Sequence, residues 1–186
     1  EERKGVYVDI GAFHPIKYSN TALLKEAGWK GVNVDASQKS VDLFNAMRRD
    51  DINLCCVISN QVGEVTFYES NRGTVSTLSK RHRDKWIARG ESYIENKVAS
   101  RKLADIFETL DAPQVDFLNI DVEDAEMGVL LSNDWTRFKP TLIAIEIHDF
   151  DPKNASSSQI YNFLSMQGYI LECYAKPTAI FNFSRV

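Results

Sequence analysis

The residues of this chain that can do chemistry recur at one kind of position. Asp9 (VYVDIG), Asp35 (GVNVD) and Asp121 (VDFLNID) each stand at or near the end of a short apolar run, and a fourth run (TLIAIEI) carries Glu146 and is followed by His148. An acid at the carboxyl end of a parallel strand opens on the edge where α/β sheets bind ligands, and there it can accept both hydroxyls of a ribose. Gly11, two residues after Asp9, lets the backbone approach a ligand and adopt angles forbidden to other residues. Spacing by two puts Glu146 and His148 on one face. Imidazole titrates near neutral pH, so His148 is a general base, a metal ligand or a structural histidine held by an acid. Asp121, Glu146 and His148 together have the donor types for a divalent cation such as Mg. Glu123 points the same way as Asp121 if the backbone stays extended. Glu126 falls in the first turn of the next helix, where the dipole favours an anion.

The stretch that organises these groups is 6–21, VYVDIGAFHPIKYSNT. It reads as a strand, a loop containing Pro15, and three good helix-capping residues, Ser19, Asn20 and Thr21. We expect the loop to hold a nucleotide-like cofactor. Ala12, Phe13, His14 and Pro15 follow Gly11, so the GxGxxG cradle for a diphosphate is absent, which disfavours NAD and FAD. Strand and helix patterns then alternate. A helix over 21–27 turns Leu23, Leu24 and Ala27 inward and stops at Gly28. A strand covers 31–35, a helix with Val41, Phe44 and Met47 covers 40–48, and a third apolar run covers 52–58. Strands and helices in this alternation predict βαβ units and a parallel sheet.

Residues 63–68 alternate as a short extra strand. The stretch 71–96 has weak periodicity and reads as an excursion with a helix near 83–89, its His82 at the surface. Lys80, Arg81, Arg83, Lys85 and Arg89 there, with Trp86, form either a solvated helix face or a lid that attracts an anionic or sugar substrate. Ser100 is expected to cap a helix carrying Leu103, Ile106, Phe107 and Leu110. Further strands are expected over 115–121, 141–147, 169–174 and 178–183, with helices over 125–131 and around Ile160, Phe163 and Leu164. The linker Ala175, Lys176, Pro177 is short enough only for antiparallel neighbours. The predicted architecture is α/β: a mostly parallel seven-stranded sheet with an antiparallel last strand and helices on both faces. It forms a single domain over 1–186 with an inserted segment at about 69–99.

The totals agree with this. The 186 residues are 44% hydrophobic and 26% charged, the proportions of an ordinary globular domain. A net charge of −4 argues against broad nucleic-acid binding, and no apolar run is long enough to span a membrane. Cys55, Cys56 and Cys173 lie in apolar runs and read as buried free thiols, without a disulfide or a zinc pattern. The opening Glu1, Glu2, Arg3, Lys4 is not a secretory leader, and the absence of an initial Met suggests a piece of a longer chain. A cytoplasmic location is expected.

With these residues in view, VDIGAFHPIKYSNT, GWKGVNVD, DINL and DFLNIDVEDAE, followed by a strand containing IEI, resemble the FkbM-type S-adenosylmethionine-dependent methyltransferases. The likeness runs in matching order from about Val6 to about His148. It implies a Rossmann-like class I methyltransferase fold and the cofactor S-adenosyl-L-methionine. By position, Asp9, Gly11 and Ala12 would line the methionine end, and Ser19, Asn20 and Thr21 would hold its carboxylate. Asp35, with Ala36 beside it, would bind the ribose, while Val57, Ile58 and Ser59 would flank the adenine. Asp121 would face the methionine amino group or the reaction centre.

The implied reaction is O-methylation of a hydroxyl on a sugar or small metabolite. His148 would be the base, oriented by Asp121 or Glu146, with a small-molecule or glycan acceptor as partner. The chain departs from the family pattern at Phe13 and Pro15, and at Asp124, where DVEGxE-like motifs carry Gly. These departures keep open a binding module without catalysis, and a nicotinamide-dependent oxidoreductase is a weaker alternative.

Overall fold

The computed structural model describes residues 4–110 and 114–183, so Glu1, Glu2 and Arg3 of the charged opening lie outside it. The first half of the chain runs β1 (Val6–Ile10), α1 (Ala22–Glu26), β2 (Lys30–Asp35), α2 (Gln38–Met47) and β3 (Ile52–Cys55). An inserted unit follows: β4 (Val57–Ile58), β5 (Gly63–Ser70), α3 (Lys80–Ile87) and β6 (Tyr93–Arg101). The second half contains α4 (Leu103–Glu108), β7 (Phe117–Ile120), α5 (Glu126–Leu130) and β8 (Leu142–Glu146). It ends in α6 (Gln159–Met166), β9 (Tyr169–Ala175) and β10 (Thr178–Phe183).

The main sheet has seven strands in the order β3-β2-β1-β7-β8-β10-β9. Its pairs from β3 to β8 are parallel, and β10 runs antiparallel between β8 and β9. This is the predicted α/β architecture. The order reverses at β1, which pairs with β2 on one side and β7 on the other. At such a reversal the crossovers diverge to opposite faces and leave a crevice beyond the strand ends. The central strands are nearly continuous apolar runs because both their faces are covered. Val8, Ile10, Leu118, Ile120, Ile143 and Ile145 are almost completely buried, packed with Leu103 and Ile106 of α4 and Leu164 of α6.

Several local expectations are corrected. The apolar run 52–58 is not one strand: β3 stops at Cys55, and β4 joins β6 and β5 in a separate three-stranded sheet. The excursion contains the nine-residue strand β6, and Ser100 sits inside that strand rather than capping a helix. Strand β6 alternates exposed and covered residues too irregularly to stand out from loop by pattern alone. Helix α1 has five residues and none of them is buried; Leu23 is exposed. Cys56 is buried and Cys55 partly so, but Cys173 is exposed on the edge strand β9. Among the described residues, no helix is long and apolar enough to cross a membrane.

Leu118 lies at the centre of the sheet with no exposed surface. Leu118→Ala is expected to lower the unfolding free energy by about 2–5 kcal/mol, measured by urea titration followed by far-UV circular dichroism.

Candidate functional site

A row of polar side chains crosses the middle of the apolar sheet. Asn53, Asn33, Asp9 and Asn119 are in register on β3, β2, β1 and β7. Asn33 donates to Asn53 at 2.8 Å, and Asn119 donates to Asp9 Oδ1 at 2.8 Å. Thr21, at the start of α1, is fully buried and donates its hydroxyl to Asp9 Oδ2 at 2.6 Å.

Above this row lies Arg48, also buried. Its Nη1 donates to Tyr7 Oη, Thr21 Oγ1 and Asn33 Oδ1, and its Nη2 donates to the Pro15 carbonyl and Ser19 Oγ. Burial raises the pKa of Asp9, and the hydrogen bonds from Thr21 and Asn119 and the charge of Arg48 oppose that rise. The sequence reading missed Arg48 and the three asparagines. The signal was a polar residue at the same depth in successive apolar runs: VDI, VNV, INL, LNI.

Beyond the strand ends lies a cavity of about 430 Å³. Asp9, Gly11 and Ala12 line it, as do Ser19 and Asn20. Asp35, Ala36, Ile58 and Asp121 line it as well. Of the residues expected to hold a cofactor, Thr21 and Ser59 are not in the wall; Thr21 lies beneath it, tied to Asp9. Gly11 has φ +78°, and a Cβ built there would stand 1.7 Å from the Asp121 carbonyl oxygen. A side chain is therefore excluded both by the backbone angle and by contact with the neighbouring strand end.

Asp35 accepts from Phe13 N and Ser37 N, each at 2.8 Å. Burial pushes its pKa up to about 6, and those two hydrogen bonds oppose the shift. Phe13, at φ +52°, packs its ring against the insert near Gly73. His14 is absent from the wall: its Nδ1 accepts from Ile16 N and Lys17 N, so it shapes the loop. The insert closes the opposite side with Phe67 and the stretch from Thr74 to Leu78. Thr77 Oγ1 donates to the Glu123 carbonyl at 2.5 Å and fixes that side to the segment after β7.

At the far end of the wall, the backbone after β7 does not stay extended. Glu123 and Asp124 have φ +52° and +75°, and the turn brings Glu123 against the end of β8. His148 Nε2 lies 3.4 Å from Glu123 Oε2 and 3.5 Å from Glu146 Oε2. Of the expected trio, Glu146 and His148 are adjacent; the carboxylate grouped with them is Glu123, while Asp121 remains in the cavity wall. Burial and the Glu146 charge hold both Asp121 and Glu123 above the usual carboxylate range.

His82 is not at the surface. Helix α3 buries it against Glu123 and Asp124, and this burial lowers its pKa against the pull of Asp124. Trp86 packs beside His82 and Arg89 and is not in the cavity wall.

Residues 9–171 match a family model described as Methyltransferase FkbM domain. No curated protein matches the chain. Among solved structures, the chain is similar to a T. thermophilus 16S rRNA N2 G1207 methyltransferase (RsmC), in complex with AdoMet and guanosine. The sequence identity is 12%, the TM-score is 0.43, and the match covers 98% of this chain and 38% of that one. The chain therefore spans well under half the length of that structure.

Removing the Arg48 guanidinium would leave its buried acceptors without a donor and Asp9 without the positive charge near it. Arg48→Met is expected to cost about 3–5 kcal/mol of stability, read as a lowered urea midpoint.

Proposed function

From a chain that belongs to the FkbM methyltransferase domain family, we propose an S-adenosylmethionine-dependent O-methyltransferase acting on a hydroxyl of a sugar or small metabolite. The carrying observation is the shape and lining of one cavity. It runs from Asp35 at the end of β2, past Gly11, to Asp121 and Glu123 beyond β7. Its volume falls within the range of small-ligand sites. The fit is chemical as well. Each oxygen of Asp35 accepts one backbone N–H, which leaves acceptor capacity for two ribose hydroxyls. The glycine at position 11 provides a close backbone approach that a Cβ would fill. Ser19 and Asn20 supply polar groups for an amino-acid carboxylate, and Asp121 supplies an acceptor for its ammonium.

When bound, S-adenosylmethionine would supply an electrophilic methyl on a sulfonium sulfur. The chain's own work is to position the acceptor in line with that methyl and to exclude water. Phe13, Phe67 and the Thr74 to Leu78 stretch would cover the site, which makes the insert the part that selects the acceptor. The hydroxyl proton must also leave as the new C–O bond forms. His148, between Glu123 and Glu146, is the group to receive it.

Asp124 departs from the glycine of the family pattern but adopts φ +75°, a backbone region in which Asp is among the better tolerated residues. The turn is thus kept without glycine, which favours a working site over an inactive binding module.

Calorimetry with S-adenosylmethionine and its demethylated product tests the reading: both are expected to bind, NAD and NADP are not, and binding of neither methyl-cycle compound would sink it. Binding should need Asp35 ionised. With its pKa at about 6, the ionised fraction falls about tenfold between pH 7 and pH 5. The donor's Kd should therefore rise about tenfold over that interval, and Asp35→Asn should weaken binding and remove the pH dependence. In an assay of labelled methyl transfer to a panel of hydroxyl acceptors, His148→Ala should lower kcat by about 100-fold or more and leave donor affinity unchanged.

A further inference from the structure

Four side chains from three separate segments converge where the cavity meets the inserted helix. Glu123 follows β7, Glu146 ends β8 with His148 two residues beyond it, and His82 belongs to α3. Glu123 Oε2 lies 3.4 Å from His148 Nε2 and 3.4 Å from His82 Nε2, and Glu146 Oε2 lies 3.5 Å from His148 Nε2. One donor atom from each of Glu123, Glu146 and His148 falls within 4.8 Å of the other two.

These separations are longer than the roughly 2.7–3.2 Å of an N–H···O hydrogen bond. The two separations from His148 Nε2 match the edge of about 3.4 Å of a tetrahedron whose donors stand about 2.1 Å from a central ion. His82 points to the same place independently. Its side chain is 4% exposed, and its Nε2 makes no hydrogen bond among the described residues although it faces the Glu123 carboxylate. A buried polar atom left in that state is costly and calls for a partner.

We propose that Glu123, Glu146 and His148 bind a divalent first-row transition ion, with His82 facing the site from α3 and holding Glu123 in place. Imidazole beside two carboxylates suits Zn, Mn or Fe, whereas Mg favours an all-oxygen octahedron and keeps several waters. Three protein ligands leave room in the coordination shell for a ligand from solution. Under the function proposed above, that ligand is the acceptor hydroxyl, which the ion acidifies. His148 would then serve as a ligand in place of the proton acceptor proposed above, and the acidified hydroxyl would lose its proton to solvent as the acceptor binds, before the site closes. This consequence rests on the proposed function; the site itself rests on the spacing of the side chains.

The test is a titration of Co(II) into the full chain without methyl donor, followed by visible d–d absorption and by calorimetry. One ion per chain is expected, displaced by Zn(II) and not by equimolar Mg(II). Binding should be lost in His148→Ala and Glu146→Gln, and weakened about 10- to 100-fold in His82→Ala, the scale for removing a group that orients a ligand. Far-UV circular dichroism checks that the variants fold, and His148→Gln replaces His148→Ala if the latter does not. Absence of Co(II) binding, or binding undiminished in the folded His148 and Glu146 variants, overturns the proposal. Displacement by equimolar Mg(II) overturns the choice of a transition ion. Because no donor is present, a chain that binds the ion but not S-adenosylmethionine refutes the proposed function and keeps the metal site; the opposite result does the reverse.

Discussion

The binding edge of this sheet depends on one buried cation. Arg48, at the end of α2, reaches across the face of β1 and β2 and donates to five acceptors on four segments. It links Tyr7 and Asn33 of the sheet to Thr21, at the N-terminus of α1, and to Pro15 and Ser19 of the loop before it. Tyr7 Oη donates a hydrogen bond to Asp51 Oδ2 at 2.5 Å, and Lys25 joins Asp51 from α1. A guanidinium taken out of water is expensive unless its donors are matched. Here both terminal nitrogens are matched, sharing five acceptors, with the Asp9 carboxylate nearby to offset the charge. The loop after β1 is therefore held from below, and the cavity above it is formed before any ligand arrives.

On that base, function is shaped by departures from regular backbone. Gly11, Phe13, Glu123 and Asp124 all have positive φ, and all lie at the carboxyl ends of β1 and β7. Left-handed residues end strands abruptly, and the ends of strands are where an α/β sheet meets its ligands. At Phe13 the turn directs a backbone N–H onto Asp35; at Glu123 and Asp124 it swings a carboxylate toward β8. The inserted sheet and α3 then cover the same edge, so one segment both roofs the cavity and carries a histidine to its polar end.

How much of this was legible depended on the range of the interaction. Most strands of the main sheet, the antiparallel last strand and the acids at strand ends follow from local alternation and apolar runs, whereas the reversal of strand order at β1 came only with the structure. Most cavity-lining residues expected on the first strand, the loop and the second strand are where that pattern puts them. The insert was read less well. Strand β6 is half exposed and charged, so its sequence resembles loop, and its pairing with β5 is what makes it a strand. His82 illustrates the same limit. On a helix flanked by Arg81 and Arg83 it looks solvated, and only packing of α3 against the turn after β7 buries it.

The sequence alone determined most elements of the main sheet, their alternation and the kind of chemistry available at the strand ends. It did so because burial of alternate or continuous apolar residues is a local, repeating demand. The tertiary structure alone decided which side chains share a site. Glu123 rather than Asp121 joins Glu146 and His148 because two left-handed residues turn the backbone there. Arg48 rather than a residue of the loop holds that loop because α2 packs across the face of β2. Such meetings are set by contacts between distant segments, and no short stretch of sequence records them.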